Sequence, residues 1–534
     1  MEQRNMFLAF ALSMAVLIGW SYIFPSSESS SQQATQTQQT LDKPSTTEAS
    51  NAPSTAHHEA PELRPTSVDV GSVEDVPHPS EELEHPLFYV HNDVVRLGMN
   101  DRGWFTEAAL LQYKESLEPG ADNIHALSTG KGHHVYINSG VLGHQRVTPF
   151  ELQREQSSPT HKVFTATLDS GEIWQRSISL EPHSYLIHLE DRILQGAGFK
   201  MFRQVVERNP DRKKDTFYEH MGATGLVQGE LKEPSYDDLD EKSEKMTATG
   251  GWTGIMSRYF IAALVGQKDH DYRFYYKGDG RSYQAGILDD GVLEHRDAVF
   301  RYDAYIGPKS IAVLKPLNLG LERSVDFGLF AFIAKPMHHF MIWINGYVHN
   351  FGWSIILLVL AIKIILFYPS QKAYTSMAGM RKIQPDMARL KDLYGEDRQK
   401  MGQEMMKLYK KHKVNPLGGC LPILIQIPIF FALYKVLLMS IEMRQAPFIG
   451  WIHDLSVQDP YFILPVLMGI SMYIQQKLNP QPTDEMQAKI MQFLPPVFTI
   501  MFLFFPAGLV LYWVVNNTFT ILQQWWVMKK LNAI

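Results

Sequence analysis

Phe502-Leu503-Phe504-Phe505-Pro506-Ala507-Gly508-Leu509-Val510-Leu511 lies in the middle of an apolar run over 491–528, and its reading decides the fold. A membrane-crossing helix needs about 20 apolar residues, so the 38 residues of this run are too many for one span. Pro506 cannot continue a helix and Gly508 follows at once, so the punctuation divides the run into 491–505 and 508–528. These read as antiparallel spans joined by a tight hairpin. Toward the N-terminus, 461–476, 421–440 and 351–368 read as three more spans. Residues 6–24, behind Arg4, form an unbroken apolar run of 19, longer than the roughly 7–15 residues of a cleaved signal's apolar region. It ends in Trp20-Ser21-Tyr22-Ile23-Phe24-Pro25 without a small-x-small pattern, so an uncleaved anchor is expected.

Six spans put both termini on one side, and charge says which. The stretch 368–419 holds eleven Lys/Arg and the C-terminus adds Lys529 and Lys530, whereas 441–460 has Arg444 against Glu442, Asp454 and Asp459. The positive-inside rule therefore places the termini and 369–419 in the cytoplasm, and 25–340 outside. Trp451, Trp525 and Trp526 fall at span ends, as an aromatic belt requires. Composition agrees. Over all 534 residues the net charge is −6 and the mean hydropathy is −0.16, but these averages join two different polymers. Residues 25–340 carry 31 basic and 45 acidic side chains; the remainder carries 19 and 11. With Cys420 as the single cysteine, a disulfide framework and a multi-thiolate zinc site are excluded. The acidic balance gives no support to specific DNA binding.

Residues 26–86 are rich in Ser, Thr, Gln, Glu and Pro and nearly free of aromatics, the composition of a disordered tether. From Leu87 the pattern changes to short period-2 runs, such as 162–168 and 184–189, punctuated by Asn100-Asp101-Arg102-Gly103 and Asp169-Ser170-Gly171. An all-β sandwich over 87–325 is expected. It carries no catalytic grammar: His133-His134 has no HExxH frame, and no Gly-x-Ser-x-Gly or P-loop string occurs. Beyond it, Met337, Phe340, Met341, Ile344 and Val348 share one helical face, with Pro336 suited to the first helical position and His338, His339 and Asn345 off the stripe. Within 326–350 this predicts an amphipathic helix, lying either in the outer interface or buried under the sandwich.

Residues 372–413 read as a hairpin of two helices broken at Gly395-Glu396-Asp397. One stripe is Ile383, Met387, Leu390 and Tyr394; the other is Met401, Met405, Leu408 and His412. Two roles stand open: hairpin core under a solvated face, or a basic, Met-containing surface that touches nascent chains or ribosomal RNA. Inside the spans polar residues stand out. Lys363 is about five residues, roughly 8 Å, from the cytoplasmic end of 351–368, so it either snorkels or serves a function. Gln426, Gln475, Gln476, Gln492, Asn517, Gln523 and Gln524 all fall in the inner half, while the outer half reads Phe430-Phe431-Ala432-Leu433 and Phe502-Leu503-Phe504-Phe505, with Lys435 the exception, near enough to the outer surface to snorkel. A water-filled recess open to the cytoplasm and closed outside accounts for that asymmetry; a through-pore would be polar along its whole depth.

Several strings carry a resemblance: Gln3-Arg4-Asn5, Tyr374-Thr375-Ser376-Met377-Ala378, Gln403-Glu404-Met405-Met406, Asn415-Pro416-Leu417-Gly418-Gly419-Cys420, Arg444-Gln445-Ala446-Pro447-Phe448, Trp451-Ile452-His453-Asp454-Leu455-Ser456 and Ile463-Leu464-Pro465. With Gly251-Trp252 and Tyr305-Ile306-Gly307-Pro308, the chain resembles the YidC/Oxa/Alb family of membrane protein insertases, in the Gram-negative form with a large periplasmic domain. The resemblance implies a polytopic α-helical inner-membrane protein: anchor 1–24, tether 25–86, periplasmic sandwich 87–325, interfacial helix 326–350, and a five-helix core 351–534 including hairpin 372–413. It implies a hydrophilic groove facing cytoplasm and lipid, no enzyme activity, no cofactor, and nascent inner-membrane proteins as clients. Partners implied are the lipid bilayer, the Sec translocon with its accessory subunits, and the ribosome. Lys363 stands where the family usually has arginine, keeping the charge without the guanidinium fork. Gln426 and Asn517 are expected in the groove. Tyr512 and Trp513 match two substrate-touching aromatic positions, the second of which is often Tyr. A transporter or channel using Lys363 is the competing reading, but internal repeats and broken helices in both halves are missing from the sequence. An intramembrane protease would need acids or a Ser/His pair within the spans, and Asp is absent from all six.

Overall fold

The computed structural model describes residues 72–77, 85–130, 133–146, 148–212, 219–395, 397–414, 421–479 and 485–532. The apolar run 6–24, most of 25–86 and the string 415–420 lie outside the described residues.

Period-2 patterning becomes two antiparallel sheets packed face to face. Ile173–Leu180 and Leu186–Ile193 bury every second side chain, as a pleated strand with one covered face must. The first sheet orders its strands Phe88–His91, Val95–Met99, Phe105–Lys114, His134–Val141, Met201–Arg208, Ser282–Asp289, Asp271–Gly278 and Glu244–Thr249, with Asn123–Leu127 beside Phe105–Lys114. The second runs Glu230–Lys232, Gly222–Val227, Trp252–Met256, Phe260–Gly266, Asp297–Pro308, Leu186–Ile193, Ile173–Leu180, His161–Thr167 and Glu151–Leu152, with Val292–Glu294 on Asp297–Pro308. Between them Asp191 is fully buried. It accepts from Arg176 Nε and Trp174 Nε1, both at 2.7 Å, and pairs with Arg203. Burial pushes this carboxyl up, but the two guanidiniums outweigh it and hold it below its usual range. His133 pairs with Glu207 at 2.7 Å.

The helices are α1 Tyr236–Glu241, α2 Ile311–Leu314, α3 Ala331–Val348, α4 Phe351–Ile365, α5 Phe367–Lys382, α6 Gln384–Tyr394, α7 Arg398–His412, α8 Leu421–Met439, α9 Ile463–Leu478, α10 Glu485–Phe502 and α11 Ala507–Lys530. The sandwich and the bundle share one buried cluster, running through Leu314, Leu321, Phe327, Ala334, Met337 and Met341. The loop after α8 ties them further: Ser310 Oγ donates to Glu442 at 2.9 Å, and Arg444 and Gln445 donate to the Lys114 carbonyl.

Helix α3 begins five residues earlier than the stripe predicts, so Pro336 lies inside it. Proline there gives up only the bond to the Phe332 carbonyl, near the helix start. The covered face is Ala334, Met337, His338, Met341 and Ile344. Phe340 and Val348, expected on that face, are each 37% exposed, and His338, expected off it, is buried. The opposite face shows Phe332, Phe340, Trp343 and Tyr347, the last three in ring contact at 5.6 and 5.1 Å.

Asn350 caps α4 by accepting from Trp353 N at 3.1 Å. The segment expected as 351–368 does not continue straight; α4 and α5 meet at 68°. Pro369 has no N–H for the Ile365 carbonyl and its ring crowds that oxygen, so the helix breaks there. The hairpin region accordingly has three helices, α5, α6 and α7, with α6 and α7 packed together. Met387 is buried, whereas Tyr394, Met405 and Leu408 are half-covered; Lys400 lies over the Tyr394 ring at 5.1 Å. Among the described residues no single helix is both long and apolar enough to cross a membrane; α4 and α5 satisfy that test only as a bent pair.

Candidate functional site

Helix α11 is the hub of the bundle. It packs along α9, α4 and α5 and touches α8 at few points, so the seams beside α8 open into two clefts. The first, a narrow one, lies between α4, α5, α8 and α11 and is lined by Lys363, Ser370, Tyr374, Gln426, Tyr512 and Asn516. The second, about 290 Å3, lies between α8, α9, α10 and α11, with Gln426, Gln475, Asn479, Trp513, Asn516 and Asn517 on its walls. Gln426 and Asn516 line both. All five residues expected in a groove thus line one or both of these two clefts.

Lys363 Nζ donates to Thr520 Oγ1 at 2.7 Å, and that hydroxyl donates to the Asn516 carbonyl at 2.7 Å. Among the described residues no carboxylate pairs with Lys363. Across the hub, Asn517 Nδ2 donates to Ser471 Oγ and Gln524 Nε2 to Asn479 Oδ1, each at 2.9 Å. Tyr512, Asn516, Asn517, Thr520 and Gln524 are all buried. Toward the sandwich the clefts end in rings: Trp513 meets Phe430 at 5.2 Å and Phe502 at 5.8 Å, and Phe502 meets Phe505 at 5.0 Å. Among the described residues no hydrogen-bond partner meets the buried Trp513 Nε1 in this plug. The bundle exterior is the reverse of the interior, with Ile364, Ile365, Ile470, Phe493, Ile500 and Phe504 exposed.

Sequence reading missed Thr520, Asn516, Ser471, Ser370 and Tyr374. A signal existed in the spacing: Asn516, Thr520 and Gln524 recur every four residues, one polar face of α11. Met387, Tyr394, Met405 and Leu408 line neither cleft. Among the described residues no group of three or more His, Cys, Asp or Glu is placed to hold a metal ion.

Comparison with known proteins gives these features a lineage. Residues 88–340 match the family model described as the YidC periplasmic domain, and residues 343–533 match the model of the 60Kd inner membrane protein. The membrane protein insertase YidC of Magnetococcus marinus is 44% identical over 72% of this chain and 72% of its own length. That of Marinobacter nauticus is 38% identical over 85% of this chain and 84% of its own length. A solved structure described as active YidC insertase with its first transmembrane domain resolved covers 82% of this chain and 94% of its own at 16% identity, with a TM-score of 0.38. Two family models that together span nearly all of 88–533, and relatives this similar over most of both chains, place the protein in the YidC family of membrane protein insertases.

Proposed function

We propose that this chain inserts and helps fold inner-membrane proteins by receiving their nascent segments in the Lys363 and Trp513 clefts and releasing them sideways between α8 and its neighbours into lipid. The carrying observation is the inverted bundle: Lys363, Asn516, Asn517 and Thr520 turn inward while Ile364, Ile470, Phe493 and Phe504 turn outward. Such a bundle suits an apolar solvent, because large exposed apolar area is costly in water and harmless in lipid. A lysine without a carboxylate partner is costly in a dry interior, so its cleft is read as wetted and open to the cytoplasm. Polar side chains there lower the cost of drawing a hydrophilic segment partway into the membrane, and the aromatic plug keeps the outer side closed.

The reading includes six spans, α4 with the bend into α5 serving as the second, with both termini and hairpin α6–α7 in the cytoplasm and the sandwich in the periplasm. The exposed aromatic face of α3 lies in the outer interface. The Sec translocon, its accessory subunits and the ribosome are the partners proposed, and no cofactor takes part. The test places a photoreactive amino acid at 363 or 513, with Ile365 on the lipid-facing exterior as control, beside a stalled nascent inner-membrane protein. Adducts from 363 and 513 should exceed those from 365. Equal yields at all three would sink the cleft as the client's path.

A further inference from the structure

Inside the polar stretch 25–86, residues 72–77 are seated on the outer face of the first sheet. Ser72 starts a one-turn 3-10 helix, Val73–Asp75, and closes it locally: its Oγ accepts from Glu74 N at 3.2 Å and its N donates to Asp75 Oδ2 at 2.7 Å. Positions i and i+3 eclipse in such a turn, so Val73 and Val76 point to one side and Glu74 and Asp75 to the other. Both valines are buried, at 5% and 4% exposure, among Leu142, Phe202, Tyr275 and Leu288. That floor is built for the purpose. Phe202 lies flat over Gly140 and Tyr275 over Gly286; a Cβ at either glycine would collide with the ring. Tyr275 is fixed further by donating to Gln204 Oε1 at 2.8 Å. Two lysines stand at the rim: Lys245 pairs with Glu74, and Lys277 donates to the Val73 carbonyl.

A single 3-10 turn has too few hydrogen bonds to hold its own shape. The sheet face carries the affinity, and covalent attachment supplies only local concentration. We infer that this face is a docking site for short segments with two aliphatic side chains three residues apart around a pair of acids, filled in cis by Val73-Glu74-Asp75-Val76 and open to a partner protein presenting the same chemistry. The floor accepts the aliphatic pair, and the lysine rim selects for the acids. Exchange would release residues 72–77 from the sheet.

The test uses the full chain in lipid nanodiscs and a fluorescent peptide of residues 70–78. Val73→Asp with Val76→Asp empties the site without touching a strand. The peptide should bind this variant at least tenfold more tightly than the unaltered chain. It should not bind when its own two valines are aspartates, or when Lys245→Glu and Lys277→Glu are added to the emptied chain. Equal binding to unaltered and emptied chains, or none to the emptied chain at peptide concentrations up to millimolar, would overturn the proposal. So would cross-linking of the 72–77 segment to a second copy, which would make the site a self-association contact.

Discussion

Lys363 concentrates the chemistry of the site in one side chain. Its ammonium has a hydroxyl, Thr520, and no acid partner among the described residues. If it merely anchors the span, Lys363→Leu should be neutral or slightly favourable to integration, because an insertion cost disappears. If it is the cleft's charge, the same change should leave the protein folded and membrane-bound but lower insertion of clients whose translocated segment carries Asp or Glu. The expected loss is roughly tenfold or more, since a hydrogen bond to a charged group is worth about 1.5–3 kcal/mol. Lys363→Arg should preserve function and Lys363→Glu should be at least as harmful as Leu. Complementation, with insertion of one acidic-tailed and one neutral-tailed client at matched expression, reads the outcome; full activity of the Leu variant on both clients removes the charge hypothesis. Lys363, Gln426 and Asn517 were legible in the sequence because a charge or amide stands out within an apolar run. Thr520 and Ser471 were not, because small hydroxyls satisfy themselves on the preceding turn, as Thr520 does on Asn516 and Ser471 on Met468, and so occur in any helix.

Among the elements, α3 shows best where a sequence pattern stops being decisive. Its periodicity marked a helix with an apolar face, but both faces are apolar, and a 3.6-residue period cannot say which one is covered. The stripe read from sequence straddles the two: Met337, Met341 and Ile344 face the bundle, while Phe340 and Val348 do not. The open aromatic face suits the headgroup level, where aromatic side chains concentrate. In reconstituted vesicles, Trp343 fluorescence, taken as the difference from a Trp343→Phe variant, should be quenched more by lipids brominated near the headgroup than near the chain ends. Quenching that is uniform with depth, or none, would leave the face free to cover protein instead. The bend between α4 and α5 was unread for a simpler reason. Pro369 was legible, but a hydropathy run carries apolar content and not direction, so 351–368 looked like one straight segment.

For the whole molecule, the joint between sandwich and bundle sets what each half does. Glu442 sits there with Ser310 and His338 beside it, the latter at 3.9 Å, and with Tyr113 and Arg444 nearby. Burial pushes its carboxyl up, but His338 beside it and the hydrogen bond from Ser310 prevail and hold it below the usual range. A carboxylate depressed in the folded state stabilises above its ordinary pKa, and that contribution fades as pH falls through the depressed value. The joint should therefore stay closed at neutral pH and through the ordinary glutamate range of about 4.3, then loosen below it. Spin labels at Glu118 and Pro447 should give one narrow distance that broadens only in that acidic window, whereas Glu442→Gln should be broad already at pH 7; broadening of the unaltered chain near pH 6 would contradict this assignment. Yet the clefts lie wholly in the bundle. Deleting residues 40–300, which keeps Ser310 and all of α3, should still rescue a depleted strain, and failure of a stably expressed deletion would show that insertion needs the sandwich.

The end of the bundle nearest the sandwich is sewn shut. Ala507 N and Gly508 N donate to the carbonyls of Val457 and Leu455, and buried Asp459 accepts from Trp451 Nε1, Tyr461 N and Leu464 N. The α8–α9 loop and the α10–α11 hairpin thus form one knot, while α8 has few contacts with α11 to resist being drawn aside. Mechanically this is a clothes peg. With the knot as its spring, an α8 drawn aside from α11 would open away from the tied end. On the reading proposed above, a passenger between them would be gripped least where it enters and most where it stops, a limit on travel set by shape.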